Sequence, residues 1–262
     1  MNPLFTSVKP KKFLGQHFLK DLSIAERIAN SYTYHLGTRN LLEIGPGTGV
    51  LTQFLAKNPH ICFKAIEIDS ESVAFLKAQG YLQESQIIEG DFLKYKPSEI
   101  FSEPFGIIGN FPYNIASQIL FTVFENRNLI LEVVCMLQKE VAQRINASPG
   151  KKANGVLSIF LQSFYEVEYL FTVPSCVFLP PPKVESAVIR LRRNAKQSYN
   201  CSEKQFITIV KKAFQQRRKI LRNALKELVT NPEILSHSLF DCRAEQLNVE
   251  DFENLTNLIY LS

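Results

Sequence analysis

Leu41-Leu42-Glu43-Ile44 runs directly into Gly45-Pro46-Gly47-Thr48-Gly49 and then into a helical pattern. Glycines at a strand-to-helix turn allow tight curvature and bring backbone N–H groups close to a ligand. Eighteen residues past Gly49, at the end of the next β-like run, stands Glu67. An acid there can accept hydrogen bonds from ribose hydroxyls. Val50 stands where the dinucleotide fingerprint requires its third glycine, and there is no Gly-Lys-Ser/Thr, so neither a pyrophosphate nor a triphosphate cradle is expected. The turn suits a nucleoside without phosphates, and S-adenosyl-L-methionine is the common one. Asp91, ending the third run, is the candidate for its adenine amine, with Ile68 and Phe92 as apolar walls.

A second block, Gly109-Asn110-Phe111-Pro112-Tyr113-Asn114, follows the fourth apolar run, at the rim where open α/β sheets bind ligands. Its residue types match the needs of methyl transfer to the exocyclic amine of adenine. That nitrogen's lone pair is delocalised into the ring, so the amine is a poor nucleophile. Two acceptors on its N–H bonds favour sp³ geometry and aim the lone pair at an activated methyl. The Asn110 side-chain oxygen and the Phe111 carbonyl are the candidates, since an amide accepts without depending on its protonation state. Pro112 stiffens the turn, and Tyr113 offers a face to a base drawn out of its stack. The expected catalytic set is therefore Asn110, Phe111, Pro112 and Tyr113.

These blocks must be held by a frame. Leu41–Ile44, Cys62–Ile68, Gln86–Glu89, Phe105–Ile108 and Glu132–Leu137 read as strands, and 51–57, 71–79, 115–124 and 138–146 as helices between them. Alternation of that kind indicates a parallel sheet flanked by helices. Two further β-rich runs, Tyr165–Thr172 and Val184–Leu191, are expected to join its edge as an antiparallel hairpin. The fold class is α/β: a Rossmann-like, mostly parallel seven-stranded sheet followed by a small all-helical C-terminal domain. Polar Asn194–Ser202 suits a linker, which sets the expected domains at 1–195 and 196–262.

The helical end carries the charge. Residues 1–180 hold 16 Lys+Arg against 16 Asp+Glu, whereas 181–262 hold 14 against 9, the whole of the net +5. A field confined to one end points to a polyanionic partner. Between Lys211 and Lys226 lie Lys211, Lys212, Arg217, Arg218, Lys219, Arg222 and Lys226, with no acid among them. On one continuous helix over 203–229, all but Arg217 would form a cationic stripe opposite an apolar face. Lys211, Arg218, Lys219 and Arg222 are the candidate phosphate contacts. Lys151 and Lys152, in the 146–155 loop, are further candidates.

With 45% apolar and 21% charged residues the chain can bury a sizeable core, which excludes a disordered tract. No apolar run approaches the ~18 residues of a membrane helix, and the first twenty residues lack the apolar segment of a secretory signal. Five dispersed cysteines without a C-x-x-C pair suit reduced thiols, and four histidines without ligand spacing give no reason to expect a metal. A cytoplasmic monomer with no membrane partner is expected.

Together with the two chemical blocks, Phe13-Leu14-Gly15-Gln16-His17-Phe18-Leu19, Gln138-Lys139-Glu140-Val141, Gly155-Val156-Leu157-Ser158, Phe178–Ser186 and Phe214–Leu225 stand in an order that resembles the ribosomal RNA adenine dimethyltransferases along nearly the whole chain. The resemblance implies S-adenosylmethionine-dependent dimethylation of N6 on two adjacent adenosines near the 3′ end of small-subunit rRNA, in four transfers during subunit assembly. It implies donor contacts at His17, Leu19, Gly45, Glu67, Asp91 and Asn110, to which the turn adds Gly47 and the walls Ile68 and Phe92. Substrate contacts are expected at Tyr113 and at Phe178, which would clamp the flipped base. His17 replaces the Asn often found at its position, and Phe111 the usual Leu. Two other readings are a large-subunit rRNA methyltransferase of the macrolide-resistance type and a factor that mainly docks on the immature small subunit.

Overall fold

A computed structural model describes residues 8–150 and 154–261. The chain divides into two compact units, one containing the segments up to Ala142 and Glu166–Arg193, the other Gln143–Tyr165 and everything from Asn194 onward.

The first unit is built on a seven-stranded sheet. Its strands are β2 (Asn40–Ile44), β3 (Cys62–Glu67), β4 (Ile87–Glu89), β5 (Phe105–Asn110), β6 (Ile130–Gln138), β7 (Tyr165–Val173) and β9 (Ser186–Arg193), in the order β4-β3-β2-β5-β6-β9-β7. The five strands from β4 to β6 run parallel, and β9 is antiparallel to β6. Two short strands, β1 (Phe18–Leu19) and β8 (Phe178–Leu179), pair antiparallel in a small ribbon. Helices α1 (Leu22–Ala29), α2 (Thr52–Leu55), α3 (Ser70–Gln79), α4 (Pro97–Ile100), α5 (Ala116–Glu125) and the start of α6 (Lys139–Ile145) make the connections.

The near-continuous apolar runs of β5 and β6 are explained by burial on both faces: Phe105, Ile107, Ile108, Val133, Val134 and Met136 are all fully enclosed. Glu132 is the exception inside β6. Its buried carboxylate accepts from the Thr33 N–H (2.8 Å), the Thr33 hydroxyl (2.7 Å) and the His35 N–H (2.9 Å), so it fastens the loop that leads into β2. Gly109 is required where β5 passes β2, because a Cβ there would lie 2.5 Å from the Ile44 carbonyl oxygen. The chain builds outward from β2 through β3 to β4, then returns to the other side with β5. The crevice between the ends of β2 and β5 is thus a topological switch point.

The second unit consists of the end of α6 with α7 (Val156–Phe164), α8 (Glu203–Gln215), α9 (Leu221–Ala224) and α10 (Val249–Tyr260). Tyr199 and Phe206 stack with ring centroids 4.1 Å apart, and Phe164 meets Tyr199 edge-on at 4.8 Å. Phe252 of α10 closes the cluster against Phe206. This aromatic core draws Gln143–Tyr165, assigned by sequence to the first domain, in with the C-terminal helices.

The continuous helix expected over 203–229 is corrected. It ends at Gln215, because Gln216 leaves the helical region and Ile220 turns extended to bridge Arg243, with the Leu221 N–H donating to the Cys242 carbonyl at 2.8 Å. The stripe is also less free than its sequence suggests. Lys212 pairs with Glu227 (2.6 Å), Arg222 with Asp241 (2.5 Å) and Arg217 with Glu245 (3.9 Å). Among the described residues, Lys211, Arg218, Lys219 and Lys226 have no ion pair.

Candidate active site

A cavity of about 270 Å³ opens at the C-terminal ends of β2 to β5, close to the ~300–1,000 Å³ usual for small-molecule sites. Its floor is the glycine turn after β2 and its far wall the Asn110–Tyr113 turn after β5, on either side of the switch point. Of the expected donor contacts, His17, Gly45, Gly47, Glu67, Ile68, Asp91, Phe92 and Asn110 line it, as do Phe111, Pro112 and Tyr113. Segments from four strand ends and from the N-terminal residues therefore meet around one space.

The turn is braced from within. Glu67, almost wholly buried, accepts from the Gly47 N–H through Oε2 and from the Asp69 N–H through Oε1, each at 2.9 Å. Burial raises its carboxyl above the ordinary value, and the backbone N–H groups of Asp69, Gly47 and Ile68 oppose that rise by favouring the carboxylate. The carboxylate retains acceptor capacity for a ligand hydroxyl. Gly47 must be glycine: its φ is +56°, and an added Cβ would stand 2.9 Å from the Phe18 ring. Asp91 caps a short 3₁₀ turn by accepting from the Leu93 N–H, which leaves its second oxygen available. Phe92, buried, and Ile68, 50% exposed, line the cavity as well and give it apolar walls.

The far wall is held by three long-range contacts. The Asn110 NH₂ donates to the His17 carbonyl at 2.9 Å. Because that partner only accepts, the amide's orientation is determined, and Oδ1 remains an acceptor with no partner among the described residues. The Phe111 N–H donates to the Met136 carbonyl at 3.0 Å, anchoring the turn to β6. The Tyr113 hydroxyl meets the Ser186 hydroxyl of β9 at 2.6 Å, and its ring stacks on His17 with centroids 5.5 Å apart and 29° between planes. Burial raises the Tyr113 phenol above its ordinary value, so it stays protonated and available to hydrogen-bond. His17 contributes through its backbone to Asn110 and through its ring to Tyr113, while Nδ1 sits 2.8 Å from the Pro180 carbonyl. Sequence reasoning did not foresee the roles of Ser186 or of the His17 carbonyl.

The N-terminal segment is clasped over the cavity by Asp69, the N-cap of α3. Lys11 Nζ and Gln16 Nε2 both reach its carboxylate, the latter at 3.1 Å, and the Lys11 N–H returns to Gln16 Oε1 at 2.8 Å. Burial opposes ionisation of Asp69, but these hydrogen bonds and that of Ser72 outweigh it and hold the carboxyl below its ordinary value.

Two expected contacts lie elsewhere. Phe178 is fully buried in the core and does not line the cavity. The ribbon's register sets it opposite Leu19, so the alternation of β8 turns Phe178 inward and leaves Leu179 exposed. It is not a clamp in this structure; the ring facing Tyr113 is His17. Leu19 is likewise a core residue, lining a separate water-sized void behind the glycine turn. Lys211, Arg218, Lys219 and Arg222 belong to the helical unit. Lys151 and Lys152 lie outside the described residues. All five cysteines are free, and among the described residues no three His, Cys, Asp or Glu side chains are grouped to hold a metal ion.

Comparison with known proteins decides the family. The model of the ribosomal RNA adenine dimethylase family matches residues 7–260. The chain belongs to that family. It is 50% identical over 252 residues to a ribosomal RNA small subunit methyltransferase A of Cytophaga hutchinsonii, covering 96% of this chain and 98% of the relative. A protein of the same description from Flavobacterium johnsoniae is 51% identical over 253 residues, with 96% of each chain covered. Among solved structures, a dimethyladenosine transferase from Plasmodium falciparum superposes with a TM-score of 0.74 at 27% identity, over 91% of this chain and 96% of that one. The 23S rRNA methyltransferase ErmE superposes with a TM-score of 0.70 at 25% identity, over 92% and 99%. The α/β sheet is thus the Rossmann-like frame of an rRNA adenine dimethylase, and the protein is a methyltransferase.

Proposed function

We propose that this member of the family dimethylates N6 of two adjacent adenosines near the 3′ end of small-subunit rRNA, on the immature subunit, in the cytoplasm and as a monomer. The observation that carries the chemical reading is the orientation of Asn110, whose NH₂ is committed to the His17 carbonyl so that Oδ1 is presented as an acceptor on the cavity wall. The half-identical small-subunit relatives over 96% of the chain favour that substrate over the large-subunit RNA acted on by ErmE, the more distant match.

S-adenosyl-L-methionine, when bound, supplies a methyl group activated by its sulfonium. The cavity suits such a donor: carboxylates at Glu67 and Asp91 offer acceptors for hydroxyl and amine groups, Ile68 and Phe92 give apolar walls, and Gly45 and Gly47 expose backbone beside them. Asn110 Oδ1 and the Phe111 carbonyl accept the two N–H bonds of the target amine, favouring the pyramidal geometry in which its lone pair can attack. Tyr113, fixed by Ser186 and backed by His17, provides the plane against which the adenine rests. The alkylated amine is strongly acidic and releases its proton without a dedicated base. Catalysis then rests on positioning within a largely preformed site. Lys211, Arg218 and Lys219 of the helical unit supply phosphate contacts, whereas Arg222 is shared with Asp241.

The test is transfer of tritiated methyl groups to small subunits lacking the modification, with large subunits in parallel. Label on N6 of two adjacent small-subunit adenosines, abolished by Asn110→Ala, is the expected result. Label on the large subunit alone, or near-normal rates with Asn110→Ala, overturns the proposal. An Asn110→Ala variant that still restored assembly in a deletion strain would make docking the main duty.

A further inference from the structure

Eight large apolar side chains are exposed among the described residues, and four of them, Phe13, Ile68, Leu179 and Val184, either line the cavity or stand next to residues of its wall. Ile68 lines it directly. Leu179 is the strand partner of Phe18, another lining residue, and Val184 precedes Ser186, which holds Tyr113. Phe13 is the most exposed of the four, at 79%. Scattered exposed apolar residues need no explanation, but a cluster at a cavity rim marks a surface meant to be covered.

Phe13 does not hang on a loose segment. It sits in a 3₁₀ turn, Lys12–Leu14, closed by the Leu14 N–H to the Lys11 carbonyl and the Gly15 N–H to the Lys12 carbonyl. On one side of it Lys11 is bound to Asp69; on the other, Leu14 through Phe18 line the cavity. The ring is thus held at the lip without being used to hold it. Lys9, Lys12 and Lys20 of the same segment are exposed and have no ion pair among the described residues. A fixed aromatic ring among free cations is the usual arrangement for single-stranded nucleic acid, in which bases stack and phosphates are neutralised.

We propose that Phe13 is the platform on which the nucleotide next to the target adenosine stacks, making it a positioning residue for the RNA. The inference rests on the proposed function, and it gives the second of two adjacent adenosines a place while the first occupies the cavity. A stacked neighbour holds the strand in register while its partner occupies the cavity.

The experiment measures binding of the full-length protein to a short single-stranded RNA with two adjacent adenosines, the neighbour of the target replaced by the fluorescent base 2-aminopurine. Wild type should quench that fluorescence. Phe13→Ala should weaken binding about 5- to 150-fold, the range corresponding to loss of one base–aromatic stack, and abolish quenching. Phe13→Trp should restore both, Phe13→Leu neither, and donor affinity should be the same in all four proteins. Binding of Phe13→Ala within twofold of wild type overturns the proposal. So does full rescue by Leu, which would indicate an apolar contact such as a protein partner, and so does a parallel loss of donor affinity, which would make Phe13 structural. Wild type that binds and quenches this RNA but leaves both adenosines unmethylated on small subunits lacking the modification would refute the proposed function while leaving the platform intact.

Discussion

Glu43 is the most heavily perturbed acid that the structure offers for a quantitative test. It lies in the middle of the sheet on β2, nearly inaccessible, with one hydrogen bond from the Thr52 hydroxyl at 2.7 Å. Burial pushes its carboxyl from an ordinary 4.5 up to about 8; the Thr52 hydrogen bond opposes the shift and the Glu67 charge adds to it. Below pH 4.5 both folded and unfolded chains carry the proton. Between 4.5 and about 8 the unfolded chain ionises while the folded one keeps its proton. The folded state then binds more protons than the unfolded, so Glu43 makes stability fall as pH rises through that window, by up to about 1.4 kcal/mol per pH unit. The total loss by pH 8.5 is on the order of a few kcal/mol. Glu43→Gln keeps the Thr52 hydrogen bond through its amide oxygen and cannot titrate. The difference in Tm between Glu43→Gln and wild type, measured from pH 5 to pH 8.5, cancels the other ionisable groups. It should swing in favour of the variant by roughly 8–15 °C, taking ~2–4 °C per kcal/mol for a chain of this size. A difference independent of pH would refute the reasoning and show that Glu43 is ionised in the folded protein.

Three further substitutions probe the site. Glu67→Gln turns an NH₂ toward the N–H of either Gly47 or Asp69, leaving a buried donor unpaired at a cost of about 1–3 kcal/mol. Donor affinity measured by calorimetry should fall accordingly, and unchanged affinity would contradict the bracing role. Gly47→Ala forces a side chain into the left-handed region, about 1–2 kcal/mol, and against the Phe18 ring. It should lower both Tm and donor affinity, whereas retention of both would show that the turn is not tightly packed. Ser186→Ala frees the Tyr113 hydroxyl and should lower kcat several-fold at unchanged donor affinity, and an unaltered kcat would remove Ser186 from the positioning network.

The sheet was legible because its parallel strands are buried on both faces and therefore appear as short apolar runs bounded by Gly, Pro or Asn, and the alternation with helices then restricted the topology. The acids and glycines at the strand ends were legible for a related reason: once the strands run parallel, their C-terminal ends must share one rim. What could not be read were contacts made by residues distant in sequence. The Asn110 amide is oriented by a carbonyl 93 residues away, and Tyr113 by a hydroxyl 73 residues away. Neither carries a local signal. Phe178 was misassigned because a two-residue strand has no periodicity of its own; pairing with Leu19 decides which residue turns inward. The basic helix is broken for a similar reason: helical periodicity runs through 216–220 in the sequence, but the bridge from Ile220 to Arg243 and the acids Asp241 and Glu245 come from later segments, and the break lets Glu227 reach back to Lys212.

The acceptor pair after β5 can be observed directly. A crystal structure of the protein with S-adenosylhomocysteine and an adenosine-containing oligonucleotide would give the distances from the adenine N6 to Asn110 Oδ1 and to the Phe111 carbonyl oxygen. Both should fall within about 2.7–3.2 Å, with the ring against Tyr113. An amine turned away from both oxygens, or bonded to Asp91 or Glu67 instead, would contradict the mechanism whatever the rate of methylation.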